Sequence, residues 1–309
     1  MGSRSLLFLA GVVFLISLFG CAAREPMLKR QSEAIQLENK GVAYFQEAQY
    51  GKAMAQFRKA LKSYESIDHR EGIARTYNNL GTVYEATGQN TEALGFYRRA
   101  LAINTEIGQE QGVSLNLNNA GTATLALGKP QEALGLFQKS LEMEEKRKDL
   151  RGQAVRWNNL GGAYRALGQN PRALECYGKA KGLNERANHP TGIADNLNNM
   201  GAVYESTKDW PRALEAFQGA LELDKKGENS RGISTDLANL GRLHEAMGDR
   251  EKALDYYLRA WRVNESLGLK DRALQDLSRI TSLYDALGKP EESEKYRRRS
   301  RELSSSSSK

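Results

Sequence analysis

The chain is poor in the residues that most often carry chemistry at a protein site. Its 309 residues include two cysteines, Cys21 and Cys176, and three histidines, His69, His189 and His244. No cysteine/histidine spacing typical of a metal site is present, and there is no glycine-rich phosphate loop. We therefore predict that the protein is not an enzyme and has neither a metal site nor a cofactor.

Proline and glycine are too scarce for a collagen-like or flexible chain, with six and 29 residues respectively. A hydrophobic fraction of 40% and a charged fraction of 27% are ordinary for a folded globular protein. The net charge of +7 is not accompanied by interleaved aromatic residues or a nucleic-acid-binding motif. We therefore expect no nucleic-acid partner.

An apolar stretch runs from Leu6 to Phe19, broken only by Gly11 and Ser17, and it follows the basic residue Arg4. A basic start, an apolar stretch of this length and a small residue before a cleavage site are typical of a secretory signal. The stretch is short for a transmembrane helix, which needs about 20 apolar residues. An uncleaved N-terminal anchor is the alternative.

The end of this stretch, Leu18-Phe19-Gly20-Cys21, resembles the lipobox of bacterial lipoproteins. The resemblance implies that residues 1–20 are a signal peptide and that Cys21 is acylated after cleavage. Residues 21–31 then form a lipidated tether. Ala22 replaces the aspartate that retains such proteins at the inner membrane, which implies an outer-membrane protein facing the periplasm if the host is Gram-negative. With Cys21 lipidated, we expect the other cysteine to be a packed structural thiol.

A period of 40 residues runs through the rest of the chain without an insertion. One glycine column comprises Gly41, Gly81, Gly121, Gly161, Gly201 and Gly241. The alanine column comprises Ala53, Ala93, Ala133, Ala173, Ala213 and Ala253. Aromatic residues recur at Phe57, Tyr97, Phe137, Tyr177, Phe217 and Tyr257. Because independent columns share one period, the sequence predicts seven repeats over residues 32–303.

Each repeat has the spacing of two amphipathic helices. In the second repeat, Tyr77, Leu80 and Tyr84 recur at steps of three and four, which indicates one apolar helix face. Gly88 follows as a helix stop. Small residues at fixed positions predict a close crossing of the two helices. A hairpin of this kind cannot bury its faces alone, so the repeats must stack.

The pattern resembles the tetratricopeptide repeat. In the fourth repeat the family pattern stands as Trp157, Leu160-Gly161, Tyr164, Ala173, Tyr177 and Ala180. The 40-residue length is similar to the longer-helix subtype of kinesin light chains. The resemblance implies an all-α, right-handed superhelical solenoid of seven helix-turn-helix repeats, with a concave groove that binds extended peptides.

The seventh repeat departs from the pattern, with Thr281, Ser293 and Arg297 in place of glycine, alanine and an aromatic residue. A terminal helix needs a polar outer face. We therefore interpret its basic cluster, Arg297–Arg301, as a solvated cap rather than an anion site. Residues 304–309 are predicted to be a disordered, serine-rich tail.

Asparagines form two columns on the predicted groove side of the first helices. They comprise Asn78, Asn79, Asn118, Asn119, Asn158, Asn159, Asn198, Asn199 and Asn239. An asparagine amide both donates and accepts, so it can pair with a peptide backbone; bracing of the scaffold is the alternative. Neighbouring positions vary, and we predict that Arg75, Arg165 and Glu205 select among partners.

These features predict a lipid-anchored scaffold that holds an extended segment of a partner protein and helps to assemble a bacterial envelope complex. A receptor for free peptides at the envelope is the alternative. The sequence does not indicate an oligomeric state.

Overall fold

A computed structural model describes residues 26–305. Within this range the chain forms fourteen α-helices and no strand. The helices are α1 (26–46), α2 (Tyr50–Glu65), α3 (Arg70–Ala86), α4 (Asn90–Glu106), α5 (Glu110–Ala126), α6 (Pro130–Arg147), α7 (Leu150–Ala166), α8 (Asn170–Arg186), α9 (Pro190–Ser206), α10 (Trp210–Lys226), α11 (Ser230–Ala246), α12 (Arg250–Ser266), α13 (Lys270–Ala286) and α14 (Pro290–Ser305). The predicted all-α fold of helix-turn-helix repeats is confirmed.

Each repeat is one helical hairpin, and odd-numbered helices are the first helices of their repeats. Helices pack mainly against their neighbours in the chain. First helices of successive repeats are also in contact: α3 contacts α5, and α9 contacts α11. The chain divides into an N-terminal unit that ends at Met143 and a C-terminal unit that begins at Glu144.

The turns within hairpins confirm the predicted helix stops. A left-handed backbone, with φ between +68° and +85°, is adopted by Gly88, Gly128, Gly168, Gly248 and Gly288. Glycine adopts this conformation without a steric penalty. Proline lies at the start of the following helix at Pro130, Pro171, Pro211 and Pro290.

The repeated glycines lie against aromatic rings. A Cβ atom built on Gly161 would lie 2.6 Å from Cε1 of Tyr177, and one on Gly201 would lie 2.7 Å from Cε1 of Phe217. The close approach is thus between a helix backbone and a ring, not between two backbones. This arrangement buries every member of the alanine column completely.

Both ends of the array extend beyond the predicted limits. Helix α1 begins at residue 26, inside the predicted tether, because Pro26 suits a first helical turn. Helix α14 continues to Ser305, past the predicted start of the tail at Ser304. The signal peptide, Cys21 and residues 306–309 lie outside the described residues.

The basic cluster on α14 is neutralised along the helix and by its neighbours. Its ion pairs are Arg297 with Asp285, Arg298 with Glu302, Arg299 with Glu265, and Arg301 with Glu294. Each arginine thus has an acidic partner, as expected of a solvated polar cap.

Candidate functional site

The exposed surface of the first helices carries the variable positions of the repeat. We call this surface the first-helix face and define it by Arg75, Leu115, Val155, Asp195 and Thr235, all of which are exposed. The predicted asparagine columns lie beside these residues on the same helices. Most of the asparagines are partly buried, where successive first helices meet.

In the N-terminal unit the amides bond to each other across the second and third repeats. Asn116 and Asn119 each donate from Nδ2 to Oδ1 of Asn78, at 2.9 Å. At the end of α4, Asn104 donates from Nδ2 to Oδ1 of Asn116, at 2.7 Å. Asn78 therefore uses its oxygen within the scaffold, while its Nδ2 group makes no hydrogen bond to any described residue.

The C-terminal unit repeats this arrangement across the fourth and fifth repeats. Asn196 and Asn199 donate to Oδ1 of Asn158, at 3.0 and 2.8 Å. Asn184, at the end of α8, donates to Oδ1 of Asn196, at 2.8 Å. The Nδ2 group of Asn158 likewise makes no hydrogen bond to any described residue. Two equivalent sites thus each present the free Nδ2 donor of a first-helix asparagine whose own oxygen accepts scaffold bonds.

The other asparagines of the two columns also have partners within the fold. Asn79 donates to Glu38 at 2.9 Å, and Asn118 donates to Asn119 at 3.3 Å. Asn198 donates to Asp236 at 2.6 Å and accepts from Asn239 at 3.0 Å. Asn159 also has an interaction partner. Bracing of the scaffold is therefore one role of the columns, whatever else they bind.

Pockets open where the second helix ends in an asparagine. We call these junctions amide seams; they contain Asn104, Asn184 and Asn264. Their pockets measure about 240, 270 and 180 Å³ respectively. The first is lined by Asn78 and the second by Asn158. A pocket with amide walls therefore recurs at every second junction.

At the alternate junctions the second helix does not end in an asparagine, and each of these junctions contains a buried carboxylate. We call them carboxylate seams and define them by Glu38, Glu144 and Asp224, each at most 5% exposed. At both kinds of seam a first-helix glycine faces the end of the preceding second helix. A Cβ atom there would lie 2.5 Å from Tyr64 at Gly72 and 2.7 Å from Glu144 at Gly152. Glycine thus makes room for the polar seam residue.

A family model of the tetratricopeptide repeat matches residues 31–106, 112–186 and 192–266. The chain belongs to the tetratricopeptide repeat family. No match was found among curated proteins.

Several solved structures share this tetratricopeptide repeat fold. Aspartyl phosphate phosphatase F from Bacillus subtilis is 16% identical, with a TM-score of 0.69 over 93% of this chain and 74% of that chain. A Rap protein complexed with competence and sporulation factor is 16% identical, with a TM-score of 0.66 over 89% and 75%. The Rap conjugation gene regulator of plasmid pLS20, in complex with the Phr* peptide, is 16% identical, with a TM-score of 0.62 over 86% and 72%. Likeness at this level of identity concerns the fold.

The three residues predicted to select partners differ in their availability on the tetratricopeptide array. Arg75 donates to Glu38 at 2.8 Å and to Tyr64 at 2.9 Å, and Glu205 pairs with Arg242. Arg165 is exposed and forms no ion pair with a described residue. Arg165 is therefore the one of the three that no bond within the described fold restrains.

Sequence reasoning missed the buried partners of the asparagine columns. These are the residues at the ends of the second helices and the residues they meet on the next first helix, such as Asn104 with Asn116 and Asn184 with Asn196. The signal was the recurrence of an asparagine near the end of every second repeat, at Asn104, Asn184 and Asn264. It is weaker than the single-repeat period that defines the tetratricopeptide array.

Burial raises the pKa of two aspartates in the C-terminal unit to between about 6 and about 7. Desolvation and the nearby charge of Asp224 together raise the pKa of Asp236 to about 7, against the hydrogen bond from Asn198, which lowers it. Desolvation raises the pKa of Asp276 to about 6, against the hydrogen bond from Asn264. These carboxyl groups can therefore hold protons at nearly neutral pH.

The scarce cysteine and histidine side chains have structural settings in the described residues. Cys176 is buried, and desolvation raises the pKa of its thiol to about 11, so the reactive thiolate is disfavoured. His69 accepts a bond from the Gly72 amide at 2.9 Å and caps α3. His244 is buried and stacks on Tyr256, with ring centroids 5.4 Å apart.

Proposed function

We propose that the protein is a binding scaffold that holds an extended segment of a partner protein on the first-helix face, over the amide seams. The observation that carries this proposal is the recurrence of a pocket walled by asparagines, with the Nδ2 donors of Asn78 and Asn158 left without a partner among residues 26–305. A repeated donor suits a ligand with repeated acceptors.

An extended polypeptide has such acceptors in its backbone carbonyl groups. Carbonyls buried without a donor cost about 1–3 kcal/mol each. The Oδ1 atoms of Asn78 and Asn158 already accept hydrogen bonds from the scaffold. These bonds orient the two amides so that the Nδ2 groups are the ends that remain for the ligand. Each bond to the ligand contributes about 0.5–1.5 kcal/mol, so affinity would come from several repeats together.

The similar structures support a peptide or protein ligand. One of the Rap proteins is complexed with competence and sporulation factor, and the plasmid regulator is in complex with the Phr* peptide. Their likeness to this chain is in the fold, and the inference to binding by this chain is part of our proposal.

We further propose that Cys21 carries a lipid and that the array lies in a bacterial envelope, where it helps to assemble a multi-protein complex. The sequence Leu18-Phe19-Gly20-Cys21 supports this location. No helix within residues 26–305 is long and apolar enough to cross a membrane.

The test begins with affinity purification from native membranes to obtain the partner. The double variant Asn78→Asp with Asn158→Asp then removes both Nδ2 donors but keeps the oxygens that accept scaffold bonds. We expect partner affinity to fall about tenfold or more, because two hydrogen bonds are lost. The melting temperature should stay within a few degrees of the parent.

A matched control is Asn90→Asp with Asn170→Asp. These residues are also two repeats apart, and they begin the second helices α4 and α8, where negative charge is favourable. The control adds the same charge and should bind normally. Equal affinity of the seam variant and the control would contradict the proposal. Recovery of short peptides alone would favour the receptor for free peptides.

A further inference from the structure

Two of the three carboxylate seams contain their own arginine. In the first, Arg75 pairs with Glu38 at 2.8 Å. In the second, Arg156 pairs with Glu144 at 3.3 Å, and both side chains are buried. A buried carboxylate is costly unless it is paired, so in both seams the chain supplies the compensating charge.

The third carboxylate seam, between the fifth and sixth repeats, has two buried acids and neutral amide donors, Asn198 and Asn229, in place of an arginine. Asp224 is 4% exposed and Asp236 is 0% exposed. Oδ1 of Asp236 accepts a hydrogen bond from Asn198 at 2.6 Å, while its buried Oδ2 has no donor. Asp224 is close enough that its charge raises the pKa of Asp236. Asp195, on the first-helix face, is close enough that Asp224 raises its pKa in addition to desolvation.

No basic side chain among residues 26–305 lies within ion-pair distance of these three carboxylates. His189 acts on Asp195 only at longer range. Arg272, on α13, donates instead to Thr235 at 3.1 Å. The seam therefore has two buried acids, of which Asp236 has an oxygen without a donor, and a third, exposed carboxylate, Asp195, near enough to Asp224 for their charges to interact.

Equivalent positions of the repeat show what is different here. Thr235 occupies the position in its repeat that Arg75 has in the second repeat, and Asp224 likewise corresponds to Tyr64. In the first seam the guanidinium group of Arg75 bonds to Tyr64 and Glu38. The third seam therefore has a short, exposed threonine in the place of that arginine, a carboxylate in the place of the tyrosine, and Asn198 in the place of Glu38.

We propose that this seam binds an arginine side chain of the partner segment, with Asp195 as the outer ligand and the Asp224–Asp236 pair behind it. The inference rests on the proposed function and names one residue type in the partner. A guanidinium group fits because it donates several hydrogen bonds in one plane and matches carboxylates.

Binding of an arginine should release a proton from the acid pair. The pKa of Asp236 is raised to about 7, whereas a guanidinium group stays charged at all relevant pH values. The cation favours the ionised pair, so affinity should rise with pH. One linked proton of this pKa predicts binding about 30-fold weaker at pH 5.5 than at pH 8.

The test uses the purified full-length protein and N-acetylarginine amide as the probe. Titration calorimetry or NMR should show saturable binding at pH 8 and the predicted weakening at pH 5.5. N-acetylcitrulline amide has the same shape without the charge and should not bind. Asp195→Asn, at an exposed site where folding is not at risk, should weaken probe binding at least tenfold, and Asp236→Asn should remove its pH dependence.

Asp276→Asn is the control, because Asp276 is also buried but belongs to an amide seam; it should bind the probe as the parent does. Equal binding of the citrulline probe, or unchanged binding by Asp195→Asn, would overturn the proposal. So would calcium binding that depends on the same aspartates without arginine binding. If the arginine probe fails while the Asn78/Asn158 variant still loses the partner, only this inference is wrong.

Discussion

At the scale of single residues, the glycine beneath each aromatic ring gives a direct test of packing. Gly161→Ala would place a Cβ atom 2.6 Å from the ring of Tyr177, and overpacking typically costs about 1–3 kcal/mol. Gly178→Ala, in the next helix, meets no atom within 4 Å. It should stabilise the protein by about 0.5–1 kcal/mol, because alanine is the better helix former.

Urea unfolding of both variants measures these changes in the free energy of unfolding. The two substitutions are chemically the same, so their opposite signs isolate the contact with the ring. Equal effects at the two glycines would show that the ring moves aside without cost.

The buried aspartates predict an unusual pH dependence of stability. An aspartate in an unfolded chain has a pKa of about 3.9, while that of Asp236 in the fold is about 7. The folded protein therefore binds this proton more tightly. Its contribution to the free energy of unfolding is complete below about pH 4 and is lost as the pH rises to about 7 and above. The full loss is at most about 4 kcal/mol.

Comparing melts of the parent and Asp236→Asn from pH 5 to pH 8 separates this group from the other carboxylates. The variant should lose much less stability over this range. Asp276→Asn should change the profile mainly below pH 6, since the pKa of Asp276 is raised only to about 6. A parent that gains stability between pH 5 and pH 8 would refute a proton on the acid pair.

At the scale of helices, the amide seams should be coupled networks. Asn116→Ala removes the acceptor of Asn104 and one donor to Asn78. It should cost about 1–3 kcal/mol, because buried polar groups lose their partners. Adding Asn104→Ala should cost less than the sum of the single changes, since the two residues serve each other.

A double-mutant cycle measured by urea unfolding yields the coupling energy of this pair. The equivalent cycle on Asn184 and Asn196 should give a similar value, because the two hydrogen bonds are nearly equal in length, at 2.7 Å in the first seam and 2.8 Å in the second. Simple additivity in both cycles would mean that the amides stabilise the seams independently.

Helix positions could be predicted from the sequence because glycine, proline and aromatic columns act locally. Gly88 ends a helix by its own backbone freedom, and Pro130 begins one by its fixed φ angle. The seam contacts could not be predicted in the same way. Asn78 and Asn116 are 38 residues apart, and their contact depends on how two helices cross. That the oxygen of the Asn78 amide is bonded within the scaffold while its nitrogen is free also depends on that crossing, so it could not be predicted from the sequence either.

At the scale of the whole molecule, the lipid anchor can be tested through its cysteine. Cys21→Ser should abolish metabolic labelling with a fatty acid and block maturation of the precursor, because the thiol is the acceptor that the lipobox resemblance implies. Cys176→Ser is the control and should keep both labelling and cleavage, since Cys176 is buried in α8. Persistent labelling of Cys21→Ser would locate the lipid elsewhere or disprove the anchor.

The alternation of amide and carboxylate seams also bears on how such a chain assembles correctly. Seven similar hairpins can stack in the wrong order during folding, since their apolar faces are nearly interchangeable. A slip by one repeat would bury Glu144 against the place of Asn196 instead of Arg156, and a buried charge that loses its partner costs about 3–5 kcal/mol. The polar seams thus make the correct stacking order more stable than a stack shifted by one repeat, a distinction that hydrophobic burial alone would not supply.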